Sequence, residues 1–309
     1  MKPLLQKAFK YETIWAAGNV SRKRGYEKNY GTWWEISAHK SGQSTVTNLE
    51  GNPTLGEVID TDMEGILGKG FTYREMLRTA FLDAGDHLSI QVHPGFEYAR
   101  EHSDDYGKYE TWYIVDAKPD AYLVAGTTIP DENTIKEAFE HGTIEKYLKK
   151  WPVKKGDYIT IPIGTLHALG AGITAYEIGT NSDTTYRFYD YDRTDANGRK
   201  RPLNVKESFD VVQFTNTPHF ESAQNHSRRI GDTPYFTVDE LFLDKSTTLQ
   251  TEGAFFLLLN LGKDLNIKWN DESIPVAEWG SVFIPANAGQ IELPKDAHLL
   301  ISRPRKEKQ

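Results

Sequence analysis

"LSIQVHPGFEYA" (Leu88–Ala99) and "GDYITIPIGTLHALG" (Gly156–Gly170) decide how this chain is read. In an extended strand alternate residues share a face, so Gln91 and His93 point one way and Val92 the other. Pro94-Gly95 then stops the strand. In the second stretch, Gly156, Pro162, Gly164 and His167 are spaced as a strand, a tight turn and a histidine that opens the next strand. Polar side chains buried on one face must find partners. A metal ion is one such partner and another protein group is the other.

The same texture runs outward from these stretches. "GTWWEIS", "YETWYIV", "AYLVAG", "YITIPI" and "TTYRFYDY" are short β-rich runs separated by Gly, Pro and Asx residues. That spacing predicts an all-β sandwich or barrel. Two regions break it. Thr72–Ala84 has helix formers, although its second half also reads as a strand. Asp131–Trp151 predicts two short helices: Ile135, Ala138 and Phe139 make one apolar face, Gly142 interrupts, and Ile144, Tyr147 and Leu148 resume it. Beyond about Asn225 the strands resume, with "PYFTVDELFL", "AFFLLLNL", "LNIKWN" and "SVFIPA". This predicts a second β unit, and its His298 has no clustered His/Glu set around it.

The bulk numbers exclude several functions. The chain has 309 residues and a formal net charge of −8, which disfavours binding to a phosphate backbone, so no nucleic-acid partner is expected. There is no cysteine, which removes disulfides, thiolate zinc sites and a cysteine nucleophile. Any metal must be held by imidazole, carboxylate and amide groups. No apolar run approaches the ~18 residues that span a bilayer, and no signal peptide is read at the start. A cytoplasmic protein without a membrane partner is the expectation.

The spacings around Gln91/His93 and His167 resemble the two metal-binding motifs of the cupin superfamily, with Gln91 in place of the usual first histidine. Ala171 stands where the second motif normally ends in asparagine. "YGKYETWYIVDA" (Tyr106–Ala117) adds Lys108, Glu110 and Trp112 on one strand face. Glu110 alone would be an ordinary ion-pair partner of Lys108; beside two histidines it reads as a ligand. Glu97 competes for that role, since it lies four residues after His93 where the general motif expects a carboxylate.

"LSIQVHP", "GKYETWYIVDA", "PIGTLHALGAG" and "EIGTNSDTTYRFYDYDR" together resemble the short bacterial form of the type I mannose-6-phosphate isomerase family. The similarity runs from "WWEISAH" to "VFIPA", nearly the whole chain. The resemblance implies two cupin-type jelly-roll β-barrel units with a small helical insertion near 131–151. Residues 1–225 would be the catalytic, metal-binding unit and 226–309 a cupin-like unit without metal. It implies one Zn2+ per chain on Gln91, His93, Glu110 and His167, with Glu110 preferred over Glu97. Lys108 matches the family's reactive lysine, Arg187 its active-site arginine and Ser89 its pocket serine; Trp15 is a further substrate-binding candidate. Arg187 could instead simply pair with Asp183 or Asp190. The partner would be a sugar phosphate, and the chain a monomer or weak homodimer.

The departures bear on substrate. "WAAG" (Trp15–Gly18) replaces a Trp-Gly-Gly, Thr32 a glutamate, "HPGF" an "HPDD", and Ala80 a pocket lysine found in many members. They motivate a rival, a non-catalytic cupin paralogue that binds a sugar or sugar phosphate. Lys108, Glu110 and Arg187 together argue against it, because a binder needs no such trio. The implied reaction is an aldose–ketose isomerisation through an enediol, which needs a base, a stabiliser of oxyanion charge and a metal to orient oxygens. Lys108 is the candidate base; Glu110 or a metal-bound water are the alternatives.

Overall fold

The computed structural model describes residues 1–194 and 197–306. It is mostly β, and its longest helix has nine residues. No helix among the described residues is long and apolar enough to cross a membrane. The chain divides into two compact units.

One unit comprises Met1–Phe9, Trp34–Ala80 and Gln224–Gln309, of which 307–309 lie outside the described residues. A seven-stranded sheet runs in the order Arg228–Asp232, Phe236–Phe242, His298–Pro304, Phe256–Asn260, Ser281–Ile284, Leu4–Lys7, Thr45–Val46. A four-stranded sheet runs Thr247–Gln250, Gln290–Leu293, Leu265–Trp269, Glu272–Val276. Phe256, Leu258 and Val282 of the first share one apolar core with Ile267, Ile274 and Ile291 of the second. The sequence places its break near residue 225, and the last crossing between units falls at Ala223/Gln224. The N-terminal pieces of this unit are not separable by sequence texture, because strand Leu4–Lys7 joins the sheet by pairing with the distant Ser281–Ile284.

The other unit comprises Lys10–Trp33 and Phe81–Ala223. A five-stranded sheet runs Leu148–Pro152, Tyr122–Thr127, His167–Ala168, Ile90–Val92, Tyr186–Tyr189. A second sheet contains Phe220–Glu221, Tyr158–Ile161, Glu110–Ala117 and Ile173–Thr180 in that order, followed by strand Leu77–Ala84, which enters this unit at Phe81. The core joins Ile90, Val92, Leu123 and Phe188 of one sheet to Trp112, Ile114, Ile159 and Ala175 of the other. The central strands of the second sheet are buried on both faces, and the alternation along each strand decides which side chains enter the space between the two sheets.

Three expectations about helices are corrected or extended. Of Thr72–Ala84, the second half takes the strand alternative: Leu77–Ala84 is a strand with all eight residues buried. Its Leu, Arg and Ala residues favour helix in isolation, and burial on both faces of a sheet overrides that preference. Of the helical insertion, Glu132–Glu140 forms, capped by the Asp131 side chain accepting from Thr134 N, but Ile144–Tyr147 is a single tight turn of helix. Leu148–Pro152 is a strand, held by Tyr122–Thr127 and by stacking of Trp151 on Phe220 at 5.7 Å. Short helices at Asn19–Lys23, Leu55–Thr61, Met63–Leu67, Phe96–Ser103 and Val205–Val211 carry too few turns for a periodic signal.

Candidate metal centre and active site

The site is built from strand register. In the five-stranded sheet Gln91 pairs with His167 on one side and with Arg187 on the other. Directly opposed residues share a face, so His167, Gln91 and Arg187 form one row. In the facing sheet Glu110 and Trp112 share a face by alternation, and Glu177 is paired with Trp112 and joins them. His93 follows the end of strand Ile90–Val92, and Pro94 O, just beyond it, accepts from Lys108 N at 3.1 Å.

The side chains converge. His93 Nε2 lies 3.5 Å from Glu110 Oε2, and His167 Nε2 lies 3.3 Å from Glu110 Oε1. Gln91 Nε2 is 3.3 Å from His167 Nε2. His93, Glu110 and His167 are fully or almost fully buried and could hold a metal ion, their candidate ligand atoms all lying within 4.8 Å of one another. The rings of His93 and His167 lie 4.7 Å apart, and Trp112 meets the His167 ring edge-on at 5.5 Å.

Each imidazole is set in one tautomer. His93 Nδ1 is 2.9 Å from Thr184 O and His167 Nδ1 is 2.7 Å from Thr165 O. A carbonyl only accepts, so Nδ1 carries the proton and Nε2 turns a lone pair toward Glu110. Burial, and then the charge on Lys108, push His93 down to about 3. Burial also lowers His167. Burial resists ionisation of Glu110, but Lys108 and His93 outweigh it and hold the carboxyl well below its ordinary range. Two neutral imidazoles and a carboxylate are the protonation states a divalent cation requires.

The buried polar atoms test whether a metal fits. His93 Nε2 and Glu110 Oε1 are buried and make no hydrogen bond. An unsatisfied buried polar group costs about 1–3 kcal/mol. Both atoms point into the same space as the His167 Nε2 lone pair, and a divalent ion would satisfy all three. The residues therefore fit such a group.

Lys108 is 4 % exposed and sits between two carboxylates, 2.6 Å from Glu110 Oε2 and 3.2 Å from Glu177 Oε1. Arg187 is half-buried; its Nη1 donates to Pro202 O at 2.9 Å, and its Nε is buried without a hydrogen bond. Burial and then the charge of Arg201 lower its pKa. Arg193 and Arg201 both clasp the buried Asp190, each with a 2.6 Å contact to Oδ1. Arg193 also reaches Asp86 at 3.3 Å.

Five of the sequence candidates are thus brought together by contact, and Arg187 lies on the same sheet face as Gln91 by register. Two are placed less directly. Ser89 is buried immediately before strand Ile90–Val92, and Trp15 lies in the apolar core of the unit. Among the described residues neither side chain hydrogen-bonds to a member of the group. Glu97 is exposed on helix Phe96–Ser103 and stands outside the His–Glu–His cluster. The sequence reading missed Glu177, which contacts Lys108, and the carbonyls of Thr165 and Thr184, which hold the two imidazoles. The glutamate inside the apolar run "ITAYEIGT" was the available signal for Glu177.

The fold and the cluster define a mostly β protein with a buried His–Glu–His group of the metal-binding kind. No protein-family model matches the chain. It is 33% identical over 314 residues to mannose-6-phosphate isomerase ManA of Bacillus subtilis (strain 168), covering 97% of this chain and 98% of that relative. The crystal structure of the mannose 6-phosphate isomerase from Bacillus subtilis superposes with a TM-score of 0.85 at 28% identity, covering 98% of this chain and 99% of that one. A mannose 6-phosphate isomerase solved with zinc and yttrium bound shares the fold, with a TM-score of 0.70 at 13% identity and coverage of 99% of this chain and 100% of that one. The chain belongs to the mannose-6-phosphate isomerase family, a family of isomerases.

Proposed function

We propose that this enzyme interconverts mannose 6-phosphate and fructose 6-phosphate through an enediol, with one Zn2+ per chain on Gln91, His93, Glu110 and His167. The observation that carries the reading is the contact of Lys108 with Glu110, which couples a proton-carrying side chain directly to the metal-type cluster. Zinc is favoured by the imidazole–carboxylate donor set and by the zinc named for the fold relative. A divalent ion there would act as a Lewis acid that polarises and orients substrate oxygens.

The chain's own residues do the rest. Lys108, a cation as it stands, first passes its own proton to Glu177 at 3.2 Å; the neutral amine then takes the proton from one carbon, returns it to the adjacent one, and recovers its own from Glu177. Arg187 stands beside Gln91 and supplies positive charge to the developing oxyanion. Arg193 and Arg201, both held on Asp190, are further guanidinium groups of this unit and are assigned to the phosphate side of the substrate. Ser89 and Trp15 are assigned to the substrate side. The unit of Lys10–Trp33 and Phe81–Ala223 is read as the metal-binding cupin barrel, and the other as a cupin-like barrel without metal. The same reading makes the chain a cytoplasmic monomer or weak homodimer with no nucleic-acid or membrane partner. The non-catalytic rival gains no support, because a binder has no use for a lysine held between Glu110 and Glu177.

A coupled assay on mannose 6-phosphate, with and without added zinc, tests this directly. Turnover that is lost on chelation and restored by zinc is expected. Zinc-loaded protein that binds the sugar phosphate without turnover would establish the rival.

A further inference from the structure

We propose that Asp105 is a positioning residue for His93, acting through the Ser182–Thr184 loop. This rests on the proposed metal reading for its consequence but not for its geometry. Asp105 Oδ2 accepts from Ser182 Oγ at 3.1 Å, Asp183 N at 3.0 Å, Thr184 N at 3.1 Å and Thr184 Oγ1 at 2.8 Å. Its other oxygen accepts from Tyr106 N at 2.8 Å. One carboxylate thus gathers the donors of a loop that would otherwise compete for solvent. Charged acceptors make the stronger hydrogen bonds.

The loop so held presents Thr184 O to His93 Nδ1 at 2.9 Å. That bond fixes the ring's tautomer and turns its buried Nε2 toward Glu110 Oε2, 3.5 Å away. Asp105 also lies three residues before Lys108 on the same segment. Thr180 Oγ1 donates to Gly107 O at 2.7 Å and accepts from Tyr109 N at 3.1 Å, lacing that segment to the strand leading into the loop. The contacts therefore tie a metal-type imidazole and the candidate base to one anchor. His167 provides an internal control: its Nδ1 partner is Thr165 O, in a turn held by Asn216 Nδ2, which donates to Ile163 O at 2.7 Å and to Thr165 Oγ1 at 3.0 Å.

The test compares wild type with Asp105→Ala by nitrogen-15 NMR of the histidine rings in metal-free protein, and by zinc competition against a chelator. Wild type should show both rings protonated at Nδ1. In Asp105→Ala, His93 should lose its single tautomer while His167 keeps it, and zinc should bind about 10-fold or more weakly, the range for partners that orient ligands. If Asp105→Ala does not fold, Thr184→Val should shift His93 and zinc affinity in the same direction by less, and Thr184→Ser, which keeps the hydroxyl, should restore both. A folded variant with wild-type His93 tautomer and zinc affinity would overturn the proposal. If wild type binds no zinc while Asp105→Ala still shows the His93-specific change, the metal reading is lost and the role of Asp105 is upheld.

Discussion

Gln91 and His167 face each other across an antiparallel pair, with the Gln91 amide nitrogen 3.3 Å from His167 Nε2. The pairing puts an amide and an imidazole from motifs far apart in sequence onto one face, opposite the carboxylate of Glu110. Elemental analysis of untagged protein should find about one equivalent of a divalent metal. His167→Ala should lose it, because the remaining groups leave a ring position empty in a closed cluster. Full metal content in that variant would rule out this ligand set.

Lys108→Met should keep the metal and lose turnover by about 10²–10⁴-fold, the usual contribution of a positioned acid or base. The measurement is kcat together with metal content on the same sample. A variant that turns over at the wild-type rate would remove Lys108 from the chemistry.

Arg187→Ala should lower kcat/KM by about 10²-fold, and Arg187→Lys should recover only part of that loss, because an ammonium lacks the planar fork of a guanidinium. Full recovery by lysine would mean that Arg187 acts as a point charge only. Steady-state kinetics on the two variants decide this.

Asp190 gives a pH signature of stability. Burial opposes its ionisation, but hydrogen bonds from Arg201 and Arg193 outweigh it and hold the carboxyl below 3.8. The unfolded chain, with its carboxyl near 3.8, binds the proton first as pH falls. The native state is therefore stabilised above that value and loses the contribution as pH falls through the lower, folded value. Arg201→Gln should lower stability near pH 7, where the contribution is complete, lower it less at pH values beneath the folded value, and so raise the midpoint of acid unfolding. An unmoved acid midpoint would mean that Arg193 alone supports Asp190.

The β texture was legible because it follows from alternation, and the residues of the His93–Glu110–His167 cluster were legible from the motifs that carry the family resemblance. The pairs Gln91/His93 and Glu110/Trp112 each keep the parity that a strand demands, and Gly164 sets the turn before His167. What stayed hidden depends on register between distant strands. Glu177 enters the site because it pairs with Trp112, and nothing local in "TAYEIGT" states that pairing. Leu77–Ala84 was ambiguous for the same reason: its helix formers become strand only because the sheet buries both faces. Glu97 was removed from contention by a helix that begins just after Gly95, in a sequence too short to show its period.

Exchange at C2 of mannose 6-phosphate in deuterated water is the most direct measurement of whether this site forms an enediol. Zinc-loaded wild type should wash deuterium into C2, even where net product release is slow, and Lys108→Met should abolish the exchange. A folded, zinc-loaded wild type that leaves the C2 proton in place would contradict the isomerase chemistry assigned to Lys108, Glu110 and Arg187.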